Sequence, residues 1–127
     1  MTYSEIENRL VERLREYLPG YEVLSYPNKP EDFQFTHPTA TILVIYQSTQ
    51  YVKGASMINY EIHIISRSLK GEHGYDLLER VREIVTKDFE LNGTKFFVTN
   101  EQQYDYFDGK WFYKISISLP FLTLQGY

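Results

Sequence analysis

"YFDGKWFYKISISLPF", residues 106–121, decides the fold. An Asp-Gly pair flanked by alternating apolar residues is a strong short-range hairpin signal, because the tight turn needs positive φ at its centre. The spacing therefore predicts that Asp108-Gly109 joins a strand at Tyr104–Phe107 to a long strand at Lys110–Leu119. On the long strand Trp111, Tyr113, Ile115, Ile117 and Leu119 share one parity, and Lys110, Phe112, Lys114, Ser116 and Ser118 share the other. That alternation belongs to a strand with one face on a core. Six of the sixteen residues are aromatic, more ring surface than one core face requires, and the excess asks for a second use.

Upstream, two segments carry helical periodicity. In "SEIENRLVERLREYL", residues 4–18, Ile6, Leu10, Leu14 and Leu18 recur every four residues, Ser4 and Glu7 have capping-box spacing, and Pro19-Gly20 stops the helix. In "YDLLERVREIVTKDF", residues 75–89, Leu77, Leu78, Val81, Ile84 and Val85 make the buried stripe. Three strands lie between them. "YEVLSY" (21–26) is short, and "TATILVIYQ" (39–47) is apolar on both parities, as in a central strand covered on both faces. "INYEIHIISRS" (58–68) alternates as a strand with one face on the core. The segment 27–38 holds three prolines and is expected to be a loop, as is 47–57 around Gly54. Asn92-Gly93 marks a turn before "TKFFVTN", residues 94–100. The element order α-β-β-β-α-β-β predicts a single α+β domain over 1–127, with a mainly antiparallel sheet and two helices packed on one face.

Composition narrows the chemistry. The chain has no cysteine, which excludes disulfides, thiolate catalysis and zinc-thiolate sites. Its formal charge is −4, with the positive residues scattered rather than clustered, so sequence-specific nucleic-acid binding is not expected. "MTYSEIENRL" has no apolar run after a basic start, and no stretch approaches the roughly 18 apolar residues of a membrane span. A soluble intracellular protein without membrane contact is the expectation.

No catalytic, cofactor-binding or metal site is expected. His37, His63 and His73 fall on a loop, a strand and a turn without ligand spacing. "KGEHG", residues 70–74, lacks the spacing of a phosphate loop, and Glu72 would repel a phosphate. Glu101, Asp105 and Asp108 read as solvated charge, Asp108 being explained by its turn. An enzyme would need a cleft joining His63 to Glu61 or Glu101. A protein interface fits better. Tyr104, Tyr106 and Phe112 are expected on a sheet face that no helix covers, with Phe33, Phe35, Tyr51 and Val52 as exposed anchors on the two loops.

The order of "IENRLVERLREYLPGYEV", the proline-rich loop, "TATILVIYQ", "YEIHIISRSL", "GYDLLERVREIV" and the closing aromatic hairpin resembles the small minor tail proteins of Mu-like phages. That group is similar in fold to the tail terminators of long-tailed phages and to cap proteins of phage-derived contractile particles. The resemblance implies a structural role without cofactors: a ring, hexameric in the terminators, on the end of the tail tube. Its implied partners are the chain itself, the tail tube protein and a sheath or head-joining protein. Its implied location is the host cytoplasm during assembly, then the virion or tail-like particle. The alternative reading from the residues is a small α+β ligand-binding or regulatory module, with a pocket between sheet and helices.

Overall fold

A computed structural model describes residues 2–122. Helix α1 (Tyr3–Tyr17) is followed by strands β1 (Glu22–Ser25), β2 (Ala40–Val52) and β3 (Ala55–Ser66), helix α2 (Tyr75–Lys87) and strands β4 (Phe97–Phe107) and β5 (Lys110–Leu122). The five strands form one sheet in the order β1-β2-β3-β5-β4. Only β1 pairs parallel, with β2; the other three pairings are antiparallel. The fold is α+β, as the element order predicts.

Both helices cover the same sheet face. Ile6, Leu10 and Leu14 of α1 and Leu77, Val81 and Val85 of α2 pack against Ile42, Val44, Tyr60, Ile62, Tyr113, Ile115 and Ile117. The parity of the last strand is as its alternation requires, with Tyr113, Ile115, Ile117 and Leu119 buried. Helix α1 starts earlier than Ser4, because the Thr2 hydroxyl accepts the Glu5 backbone N–H at 3.1 Å. Thr2 and Glu5 have the same spacing as Ser4 and Glu7, so the capping signal occurs twice and the outer copy sets the boundary. Both predicted turns form with positive φ at each central residue: Asn92 and Gly93, then Asp108 and Gly109.

Two loop expectations are corrected. Residues 47–57 are not a loop: β2 and β3 continue as one long hairpin whose turn is Lys53-Gly54, with Val52 paired to Ala55. The segment 27–38 does not hold its rings out to solvent. It crosses the sheet face opposite the helices, carries a single 3-10 turn at Pro30–Asp32, and packs Phe33 and Phe35 onto Leu43, Ile65 and Phe112. This second, smaller core explains why β2 is apolar on both parities. Phe35 is only 8% exposed, and the Arg67 guanidinium lies over its ring at 4.5 Å.

Candidate functional site

The β2–β3 hairpin presents Tyr51 and Val52, which are 76% and 58% exposed. Its base is braced against the start of α1. The Tyr3 and Tyr46 rings stack with centroids 4.8 Å apart. The Thr49 hydroxyl donates to the Tyr3 hydroxyl at 2.8 Å and lies 2.6 Å from that of Tyr46. These bonds, Thr49 foremost, favour the phenolate and hold Tyr3 below the usual tyrosine range. The Tyr51 and Tyr3 hydroxyls lie 3.4 Å apart.

The other hairpin end is built differently. Tyr106 packs at a tilt on Trp111 with centroids 4.1 Å apart, while Phe107, 67% exposed, flanks the Asp108-Gly109 turn. Beside it lies a groove of about 260 Å³, walled by Phe33, Phe35, Ile65, Tyr104, Phe107 and Phe112 and edged by Glu31, Asp105 and Lys110. Alternation alone puts Tyr104, Tyr106 and Phe112 on one open face. A bulge between Gln103 and Asp105 separates them. Tyr104 turns toward Phe112, with centroids 6.0 Å apart, while Tyr106 pairs with Trp111, whose parity is that of the helix-covered face.

The seven residues singled out from the sequence therefore fall into three settings. Tyr51 and Val52 tip one hairpin, Tyr106 stands at the other, and Phe33, Phe35, Tyr104 and Phe112 wall the groove. Phe107 is one of several exposed rings outside that set, and its place beside an Asp-Gly turn marks it as protruding. The segments 27–38 and 47–57 do not form one patch. The first lies over Ile65 and Phe112, and the second turns at the far end of β3.

Beneath the 27–38 segment sits a polar cluster made of one buried histidine and half-buried partners. His63 is 5% exposed, with Nε2 at 2.9 Å from Glu61 Oε1 and Nδ1 at 3.0 Å from the Tyr104 hydroxyl. Lys114 Nζ lies 3.8 Å from Glu61 Oε2. An ionised carboxylate only accepts, so Nε2 carries the proton and Nδ1 accepts from Tyr104. Burial lowers the His63 pKa below its usual 6.5, opposed by the bond to Glu61. Burial likewise pushes Tyr104 up, with Glu31 and Asp105 adding to it, so the phenol stays a donor.

The sign of the resulting pH dependence is fixed. A histidine whose folded pKa is depressed takes up a proton more readily in the unfolded chain, so stability is complete above about pH 6.5 and is lost as pH falls from there toward the folded value. The loss is at most about 1.4 kcal/mol per pH unit. Urea midpoints between pH 7.5 and 5.5 are expected to fall in the wild type and to fall less steeply in His63→Gln. Parallel curves would remove His63 as the cause.

Glu101 does not join this cluster. It lies on the helix-covered face with its Oε2 at 3.1 Å from Arg82 Nη1. Asp105 accepts the Tyr106 backbone N–H at 2.8 Å, and Asp108 occupies its turn at φ 53. Nδ1 of His37 accepts from the Thr39 backbone, and Nδ1 of His73 lies 2.7 Å from the Tyr21 hydroxyl. Among the described residues, no group of three or more His, Asp or Glu side chains could hold a metal ion. A shallow hollow of about 570 Å³ beside the start of the 27–38 segment is walled largely by polar residues such as Asn28, Lys29, Asp32, Gln47 and Glu61.

The fold and its surfaces define a small α+β domain with a five-stranded mixed sheet, cored on both faces and tipped by aromatic side chains at both ends. The chain belongs to the Gp37 protein family, a phage-associated family whose model matches residues 10–126. No curated protein sequence matches it. Among the described residues, no helix is long and apolar enough to cross a membrane.

Proposed function

We propose that this phage-family protein is a structural part of a virion or phage-tail-like particle, acting as a tail terminator or cap. In this role copies assemble as a ring on the end of the tail tube, stop its growth and join it to the head or cap. Family membership over residues 10–126 carries the reading. The two hairpin ends support it, since a closed ring needs two different patches per subunit. Tyr51 and Val52 at one end and Phe107 with its groove at the other are two such patches. The net charge of −4 suits a ring through which DNA passes without being held. Its partners in this reading are further copies, six in a terminator-like ring, the tail tube protein and a sheath or head-joining protein. Assembly takes place in the host cytoplasm.

The ligand-binding alternative has less support. The apolar groove is smaller than the roughly 300–1,000 Å³ of small-molecule sites, and the wider hollow lacks their apolar lining. Electron microscopy of particles made with and without this gene tests the proposal. Deletion is expected to give tails of uncontrolled length, or headless tails without an end ring. Normal tails after deletion would overturn it.

A further inference from the structure

The exposed tip of the β2–β3 hairpin and the groove beside the β4–β5 hairpin cannot meet within one chain. Val52 pairs with Ala55 at one end of β3, and Trp111 pairs with Ser66 at the other. Eleven residue steps separate Ala55 from Ser66, about 36 Å at roughly 3.3 Å per residue. The tip offers Tyr51 and Val52, and Lys53 is the sole charge between Gln50 and Ala55. Glu31 and Asp105 outnumber Lys110 along the groove. Tip and groove are thus complementary in apolarity and in sign.

Resting on the ring reading above, we infer that the groove receives the β2–β3 tip of a second copy. Val52 enters between Phe33, Phe107 and Phe112, Tyr51 on the opposite face of the strand stays at the rim, and Lys53 comes to lie by Glu31 and Asp105. The groove's volume of about 260 Å³ accommodates an apolar side chain. Apolar anchors in a pocket with charges at the margin follow the usual division of labour, the anchors supplying affinity and the charges fixing register. The tyrosine and threonine contacts at the hairpin base hold the tip in shape beforehand, so little ordering is required on docking. Each copy has one tip and one groove, so the contact is head to tail and can propagate around a circle.

Because the chain has no cysteine, the contact can be trapped by engineered pairs. The double variant Gln50→Cys, Gln34→Cys, at exposed positions beside the tip and the groove wall that leave Val52 and Phe107 in place, treated with a short bismaleimide, is expected to give a ladder of dimer, trimer and longer species. Either single variant alone should stay monomeric, and a mixture of the two should stop at the dimer. Lys53→Glu added to the double variant should abolish the ladder, and Glu31→Lys added to that should restore it. Melting curves of all variants check that each is folded, as expected for substitutions at exposed positions. Absence of a ladder from the folded double variant, or dimers from either single variant alone, would overturn the docking. Aberrant tails in the deletion strain without a ladder would leave the tail role standing and remove only this contact. A ladder with normal tails would leave the contact and remove the tail role.

Discussion

Replacing Tyr113 by alanine is expected to lower the unfolding free energy by about 3–5 kcal/mol, the range for removing a large aromatic side chain from a packed core. Tyr113 has no exposed surface. It lies near the start of β5, paired with Ile64 on one side and Gln103 on the other, under the connection from β3 to α2. Its hydroxyl donates to the Leu69 carbonyl at 2.7 Å, and burial pushes its pKa up to about 12. The ring thus fills the core while its polar end fastens the connection that delivers α2 to the sheet. Tyr113→Phe separates the two contributions. It keeps the ring and loses one hydrogen bond, and the Leu69 carbonyl still accepts the Tyr75 N–H at 3.1 Å, so the loss should be only about 1 kcal/mol. In thermal melts the alanine variant should unfold roughly 10–20 °C lower, against a few degrees for phenylalanine. If the two variants melted alike, the ring would not be part of the core.

How much of this was legible follows from where water is excluded. The last strand and both helices lie against one core, so burial imposes period two or 3.6 on their residues, and those periods predict their faces directly. Asp108-Gly109 and Asn92-Gly93 are equally plain, because few other pairs accept positive φ at both positions. The β2–β3 hairpin beyond Gln47 is different. Past that point the β2 arm, Ser48 to Val52, is half-buried or exposed on both faces, so its alternation fades and "STQYVKGASM" has the composition of a loop, although Ser56 and Ile58 on the β3 arm are buried. The 27–38 segment misleads in the opposite sense. Its prolines announce irregular backbone, yet Phe33 and Phe35 are core residues of the second sheet face. A clue lay elsewhere: Ile42 to Ile45 are apolar on both parities, which demands a cover on the side without helices, and this segment supplies it. The bulge at Tyr104 left no such clue. It reverses parity by one residue, and so it parts Tyr104 from Tyr106 although they are two apart in sequence.

Gly74→Ala should produce the other large loss, about 3 kcal/mol or more, at or beyond the upper end for overpacking a close contact. A Cβ on residue 74 would stand 2.4 Å from both the carbonyl carbon and oxygen of Leu69 and 2.6 Å from the Lys70 nitrogen. All three are backbone atoms, so no side chain can rotate away to make room. The turn that would have to move is tied on every side. Gly74 N–H donates to Gly71 at 3.0 Å, and its carbonyl accepts from Leu78 at 3.1 Å in the first turn of α2. Leu69 accepts from Tyr75 and Tyr113, and the Ser66 hydroxyl donates to the His73 carbonyl. Relieving the clash therefore shifts the start of α2 and with it Leu77, which has no exposed surface. Gly20→Ala is the matched control, since a Cβ there meets nothing within 4 Å, and it should change stability by no more than about 0.5 kcal/mol. Urea midpoints of the two variants should differ widely. Hydrogen exchange should locate the Gly74→Ala loss first at the amino end of α2. Combined with Tyr113→Phe, the Gly74→Ala loss should be non-additive, because both substitutions act on the one Leu69 carbonyl. Equal midpoints for Gly74→Ala and Gly20→Ala would mean that the connection yields freely, and that the "KGEHG" segment is a passive turn rather than the fastening between sheet and helix.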